Sequence, residues 1–336
     1  MYDKKKLDYY AANYFLKTKK IIERFNNGSI VTLQFFQRID NSILGGMNEV
    51  LNLLKKHTNT SKYKIKFLPE GSIINNKEVV LELEGEYKYF GIYEGIIDGI
   101  LARSTSIATN AKRCIDAAKG KEIIFMGDRS DHYLNQEIDG IAVELAGINA
   151  HSTDAGARGD SERVFGSIPH ALIQNFEGDL VKVMQYYYEL FPEDPLIALV
   201  DFTNDVITES LKVLKHFGKK LYGVRVDTSK AIRDKMFKNN ENEFGVTVNQ
   251  IKKLRQALDE NDGKHVKIIV SSGFNPDKIS KFEKENAPVD SYGVGEYMLK
   301  INNTFSADAT KINGKLLAKE GRRYSENKKL VVYKNE

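Results

Sequence analysis

The chain has 336 residues, 41% hydrophobic and 29% charged, a soluble globular mixture with room for about two domains of ~150 residues. Its net charge of +4 is too small to argue for nucleic acid by itself. Apolar runs such as Pro195 to Val200 fall far short of the ~20 residues of a membrane span, Lys4-Lys5-Lys6 leads into no secretory apolar stretch, and the single Cys114 excludes intramolecular disulfides and cysteine-based zinc knuckles. No membrane association and a cytoplasmic location are expected.

Residues 2–25 read as a helix, with Leu7, Tyr10, Tyr14, Ile21, Ile22 and Phe25 roughly on one face. Asn26-Asn27-Gly28 ends it, because Asn and Gly tolerate the left-handed cap conformation. Ser29 to Arg38 is β-like, and Ile43 to Lys56 is a second helix opened by Asn41-Ser42. Lys64 to Leu68, the turn Pro69-Glu70-Gly71 and Val79 to Leu83 follow. The first unit therefore reads as an antiparallel sheet with helices on it, an α+β sandwich.

From about residue 105 strands and helices alternate. Glu122 to Gly127, Leu196 to Asp201, Leu221 to Asp227, His265 to Ser271 and Ser291 to Gly295 are short apolar runs, and Val206 to Phe217 and Val248 to Leu258 are helical stretches between them. Buried parallel strands with crossover helices produce this pattern. Several runs end in a polar residue or glycine, and in a βα barrel the chemistry sits at that edge. The pattern predicts a barrel or partial barrel, with a doubly wound open sheet as the competing arrangement.

Charge is segregated. Residues 1–70 carry 13 Lys/Arg against 6 Asp/Glu and residues 301–336 carry 8 against 4, whereas 71–300 carry 29 against 36. Two basic arms could hold an anionic partner such as nucleic acid. The simpler explanation is one folding unit made from both chain ends with another domain inserted. The Tyr and Phe residues are scattered and Trp is absent, which offers no stacking platform for nucleic acid.

The strand ends carry the chemistry. Val270-Ser271-Ser272-Gly273 runs into Asn275 and Pro276, a plausible helix cap and first helical position, and Tyr292-Gly293-Val294-Gly295 repeats the theme. Such turns suit a phosphate, because glycine lets backbone N–H groups approach an anion. They also suit tight βα turns without a ligand. Asp201 and Asp227 end successive strands and could hold ribose hydroxyls or a hydrated Mg²⁺, or cap the helices that follow. Arg129 and His132 follow another strand end, where Arg129 could read a carboxylate or phosphate or join a surface network with Asp128 and Asp131. His170 lies where a loop turns into a helix, and a lone histidine there is ordinarily structural.

Together these stretches resemble the nicotinate phosphoribosyltransferase family, its shorter archaeal-type branch above all, over about residues 8–323. Asn13-Tyr14-Phe15-Leu16-Lys17-Thr18, Leu68-Pro69-Glu70-Gly71, Phe90-Gly91-Ile92-Tyr93-Glu94, Ser106-Ile107-Ala108-Thr109, Gly127-Asp128-Arg129-Ser130-Asp131-His132, Gly166 to Leu172, Tyr222 to Thr228 and Val270 to Gly273 match family motifs in order and spacing. The resemblance implies an α/β fold. It has an α/β sandwich domain (1–104) completed by a C-terminal segment (298–336) and an incomplete TIM-like βα barrel (105–297). It implies synthesis of nicotinate mononucleotide and pyrophosphate from nicotinate and phosphoribosyl pyrophosphate, with Mg²⁺ as cofactor and ATP as co-substrate. It implies a homodimer in which Tyr14 stacks on the pyridine ring of a neighbouring subunit.

By the same resemblance His170 is the phosphorylated histidine, Arg129, with His132 and Ser152 nearby, meets the nicotinate carboxylate, and Asp201 and Asp227 hold ribose and Mg²⁺–pyrophosphate. Arg225 meets pyrophosphate, while Ser271, Ser272, Gly273, Gly293 and Gly295 cradle the 5′-phosphate. The sequence departs from the family at Ser130 and Tyr133 and over Ala150 to Gly156. Ser152 aligns where nicotinamide-using relatives carry an Asp, as in nicotinate enzymes, yet Asp128 and Asp154 add negative charge near the base pocket. Nicotinamide or another pyridine is the alternative substrate, and a phosphate-binding homologue without catalysis the alternative class.

Overall fold

The computed structural model describes residues 6–26 and 28–334. Positions 1–5, which include the start of the first expected helix, Asn27 of its expected stop, and the last two positions of the C-terminal segment lie outside the described residues. The chain divides into two compact units, residues 1–110 with 300–336, and residues 111–299.

In the first unit a 3₁₀ turn, Leu7–Tyr10, precedes helix α1 (Asn13–Phe25), with Ala12 extended at φ −61°, ψ 137°. The single long helix expected from residue 2 is thus broken at Ala11-Ala12. Strand β1 (Ile30–Phe36) leads to the two-residue β2 (Ser42–Ile43) and helix α2 (Met47–His57). The second helix begins four residues later than expected because residues 42–44 give their backbone groups elsewhere. Ser42 and Ile43 pair with β4 (Ile73–Ile74), which follows β3 (Tyr63–Phe67), and Leu44 exchanges hydrogen bonds with Ser72 and Gly71. The Glu70 carboxylate caps α2 from outside, accepting from the backbone N–H groups of Gly46 and Asn48 at 2.7 Å each. Strand β5 (Val79–Glu86) and the 25-residue α3 (Glu94–Ala118) follow.

The second unit has a shorter inventory of strands: β6 (Glu122–Phe125), β7 (Ala150–His151), β8 (Leu196–Leu199), β9 (Leu221–Val226), β10 (Lys267–Val270) and β11 (Ser291–Val294). Its helices are α4 (Gln136–Leu145), α5 (His170–Asn175), α6 (Leu180–Leu190), α7 (Val206–Phe217), α8 (Val248–Glu260) and α9 (Pro276–Lys284). Every pair in the sheet is parallel, and the order is β7-β6-β11-β10-β9-β8. Chain neighbours are sheet neighbours except β7 and β8, and the first strand pairs with the last. That is the order of a barrel opened between β7 and β8; a doubly wound sheet would reverse at a switch point. The strands are largely apolar and buried, as helix-covered parallel strands must be: all four residues of β8 are apolar and buried, and β11 is buried along its length.

The chain then returns to the first unit. Strands β12 (Ser306–Ile312), β13 (Lys315–Leu316) and β14 (Val331–Val332) join the antiparallel sheet β13-β12-β1-β5-β3-β14. The basic chain ends therefore share one sheet. Leu33, Phe35, Leu81 and Leu83 on its inner face pack with Met47, Val50 and Leu54 of α2 and Ile97 and Leu101 of α3. The other face is polar: Gln34 donates to Glu82 at 2.8 Å and to the Ser325 carbonyl at 2.9 Å, so the C-terminal segment completes that layer. No helix among the described residues is long and apolar enough to cross a membrane.

Candidate active site

Seven of the expected residues gather at the carboxyl edge of β8, β9 and β10. Asp201 stands just beyond β8, and its Oδ1 lies 3.1 Å from Nε2 of His170, the first residue of α5. The Asp201 side chain is 6% exposed and that of His170 43%, so a buried carboxylate orients a ring that solvent and ligands can reach. Burial raises the Asp201 pKa, with His170 pulling it down and Asp227 pushing it up. The imidazole also lies at 6.5 Å from the Phe202 ring, tilted by 30°. The suspected helix-capping role of Asp201 goes instead to Asp205, which accepts from the Thr208 N–H.

Beyond β9, Asp227 accepts the Ser271 hydroxyl at 2.6 Å, joining the ends of adjacent strands. Arg225 points from β9 into the same region. Its guanidinium donates to the Ile168 carbonyl at 3.3 Å while its Nε is buried without a partner. Burial lowers the Arg225 pKa, opposed by Asp227 and Asp201 and reinforced by Arg129. Two carboxylates and a desolvated guanidinium within mutual electrostatic reach suit an anion and a cationic centre held side by side.

The β10 turn is built for backbone presentation. Ser272 and Gly273 have φ of +79° and +66°, and nothing lies within 4 Å of the position a Gly273 Cβ would take. Asn275 then caps α9 by accepting from the Lys278 N–H at 2.9 Å, with Pro276 at the first helical position. At the end of β11 the glycines have a packing reason as well: a Cβ on Gly295 would lie 2.1 Å from the Met126 carbonyl oxygen, and one on Gly293 2.6 Å from its sulfur.

Arg129 is exposed, and its neighbour Asp128 accepts the Ser152 hydroxyl at 3.3 Å. His132 caps its own turn, its Nδ1 accepting from the Leu134 N–H at 3.3 Å, and stacks on Tyr133 at 4.8 Å. Tyr14 belongs to the first unit, where it is 64% exposed on α1. Among the described residues no group of three or more His, Cys, Asp or Glu is gathered as a metal site.

Two residues escaped the sequence reading. Lys278 donates to the Ser272 carbonyl at 3.1 Å. Its place at the third position of a helix opened by Asn275-Pro276 was the available signal, since side chains there lean back toward the N-terminal turn. His151 is fully buried at the end of β7, and burial lowers its pKa against the pull of Glu144, which also holds Arg158 and Arg163 at 2.7 Å each. A two-residue strand leaves no periodic signal to find it by.

A sandwich completed by the chain's own C-terminal segment and an open βα barrel with acidic, basic and small-residue strand ends define a class of phosphoribosyltransferase-like proteins. Residues 13–105 match the N-terminal domain of quinolinate phosphoribosyl transferase. The chain is similar to the nicotinate-nucleotide pyrophosphorylase of Pyrococcus furiosus, with 30% identity, a TM-score of 0.85, and coverage of 99% of this chain and 85% of that one. It is 27% identical over 231 residues to a nicotinate phosphoribosyltransferase of Mycobacterium tuberculosis, 67% of this chain and 48% of that protein. It thus spans about half the length of the curated relatives it matches. Human nicotinic acid phosphoribosyltransferase shares the fold, at 13% identity and a TM-score of 0.67 over 91% of this chain and 76% of that one. The chain belongs to the type II phosphoribosyltransferase family, that of the nicotinate and quinolinate phosphoribosyltransferases.

Proposed function

We propose that the protein transfers the phosphoribosyl group of phosphoribosyl pyrophosphate to nicotinate, releasing pyrophosphate and forming nicotinate mononucleotide, with ATP hydrolysis coupled through His170. The observation that carries this reading is the convergence of His170–Asp201, Asp227–Ser271 and Arg225 beside the Ser272–Gly273 turn. The relatives named above point to the same chemistry, since pyrophosphorolysis of nicotinate nucleotide is this transfer in reverse.

In this reading the Ser272–Gly273 turn and the β11 end receive the 5′-phosphate, and Arg225 meets the departing pyrophosphate. Asp201 and Asp227 face the ribose, where their negative charge stabilises an oxocarbenium-like anomeric carbon as its bond to pyrophosphate lengthens. Arg129, exposed beyond β6, receives the pyridine carboxylate. Tyr14 supplies a stacking face to the base of a second copy in a homodimer.

The donor set fits Mg²⁺: two carboxylates that repel one another are what this ion takes from a protein, the rest of its octahedron being water and substrate phosphate oxygens. Asp201 and Asp227 would hold it, and when bound it neutralises charge on pyrophosphate. His170 serves the ATP step. With its Nε2 proton directed at Asp201, the ring keeps the Nδ1 lone pair for attack on the terminal phosphoryl group. The Nδ1–P bond forms as the P–O bond to the departing nucleoside diphosphate breaks.

A second reading is favoured by the Ser152–Asp128 hydrogen bond, because a carboxylate at the pocket would accept from the amide of nicotinamide. Product formation from phosphoribosyl pyrophosphate and Mg²⁺ with nicotinate, nicotinamide and quinolinate in parallel, each with and without ATP, decides between them. Nicotinate turnover stimulated by ATP is expected. Turnover with nicotinamide alone would transfer the specificity to Asp128, and turnover with none of the three would leave a phosphate-binding protein.

A further inference from the structure

Lys278 is a cation that no role above uses. It lies on α9, whose first turn follows the Ser272–Gly273 turn, and its ammonium folds back over that turn. One N–H is spent on the Ser272 carbonyl at 3.1 Å. The ammonium rests 4.2 Å from the centroid of the Phe274 ring and 6.0 Å from that of Phe282. It forms no ion pair among the described residues, although Asp227 attracts it from the end of β9, and Lys281 repels it from its own helix. An ammonium has three donors, and leaving one largely buried without an anion is costly.

We propose that Lys278 is a binding residue for the phosphate monoester of the phosphoribosyl substrate, placed by α9 beside the backbone N–H groups of the Ser272–Gly273 turn. This rests on the phosphoribosyl-transfer reading and adds a side-chain cation to a subsite otherwise made of backbone and small residues. The open space beside Gly273 leaves room for the ligand, and the rings of Phe274 and Phe282 limit the water that would otherwise screen the pair.

A pH dependence follows. Burial brings the Lys278 pKa down to about 8, against the attraction of Asp227 and with the repulsion of Lys281. The ammonium is therefore charged below that pH and neutral above it. The phosphate monoester is a dianion throughout this range, so its binding weakens as pH rises through about 8.

The test is binding of ribose 5-phosphate and of pyrophosphate, each measured by calorimetry, together with the KM for phosphoribosyl pyrophosphate from pH 7 to 9.5. In the parent protein the KM rises above pH 8. Lys278→Met weakens ribose 5-phosphate about tenfold or more at pH 7, leaves pyrophosphate binding nearly unchanged, and removes the pH dependence of KM. Lys278→Arg, charged at every pH, keeps the low KM and moves the rise out of range. Unchanged ribose 5-phosphate affinity in Lys278→Met, or equal losses for both ligands, overturns the assignment. If Lys278→Met does not fold, a flat parent KM profile overturns it instead. Failure of the parent to bind either ribose 5-phosphate or phosphoribosyl pyrophosphate overturns the phosphoribosyl reading itself, which separates the two failures.

Discussion

Nε2 of His170 and Oδ1 of Asp201 meet at 3.1 Å across 31 residues of chain, one at the start of a short helix and the other just past a buried strand. The carboxylate is the buried partner and the imidazole the accessible one. A surface histidine would sample several rotamers, whereas here the ring is held by a residue that is itself fixed at a strand end. The same carboxylate faces Asp227 electrostatically, so the residue proposed for the ATP step and those proposed to face the sugar share one group.

That sharing gives the first prediction. His170→Ala keeps the fold and basal phosphoribosyl transfer but loses stimulation by ATP, whereas Asp201→Asn loses both, with turnover reduced on the order of 10²-fold. Initial rates with and without ATP check this; equal ATP stimulation in His170→Ala and the parent would remove the phosphohistidine role.

Tyr14 tests the shared-site arrangement. Tyr14→Ala raises the KM for the pyridine about 3–10-fold, the scale of an aromatic stack worth ~0.5–1.5 kcal/mol, and leaves that for phosphoribosyl pyrophosphate nearly unchanged. Equal rises in both constants would sink the stacking role.

The two glycine turns respond differently to one methyl group. A Cβ at Gly295 meets the Met126 backbone carbonyl at 2.1 Å, while at Gly273 it meets open space and only the positive φ opposes it. Gly295→Ala is expected to cost about 3 kcal/mol as overpacking, and Gly273→Ala about 1 kcal/mol as backbone strain. Thermal melts rank them, and phosphate-ligand binding is expected to suffer more in Gly273→Ala despite its smaller loss of stability.

The sandwich unit carries its own pH dependence. Burial, with Asp98 and Asp308 nearby and Arg322 opposing, pushes the Glu94 pKa up to about 7. Burial and Asp308 do the same for Asp98, also to about 7, against Arg38. Both folded values lie above the unfolded ones near ~4. Their stabilising contribution is therefore complete below about pH 4 and is lost as pH rises toward 7. Glu94→Gln and Asp98→Asn flatten the fall of Tm between pH 5 and 8 and raise Tm at pH 8 by a few degrees. An unchanged slope in the double variant contradicts the raised values.

Much of this molecule is legible in its sequence where one physical signal dominates. Apolar runs such as Leu196 to Val200 must be buried strands, and Asn275-Pro276 marks a helix start that the structure places at the same residues. Other features have no local signal. The break at Ala11-Ala12 interrupts a pattern that reads as continuous helix. Helix α3 hides its length behind Gly95, Gly99 and the Ser104-Thr105-Ser106 run, the last buried. His170 looks structural until the topology brings Asp201 beside it, because a contact between residues 31 apart is a property of the fold rather than of either segment. Family resemblance, and not periodicity, singled it out.

The closure of the first sheet by β12 imposes an order of events on synthesis. The Ile30 N–H is satisfied by Asn313, 283 residues later, and at ~5–20 residues per second a ribosome needs tens of seconds to make that stretch. The half-barrel is complete in the emerging chain before the strand that finishes the sandwich exists. Until then β1 is an open edge, a template for another chain's strand. The early sandwich is thus the part of the chain whose strand edge waits longest for its partner, although it is made first.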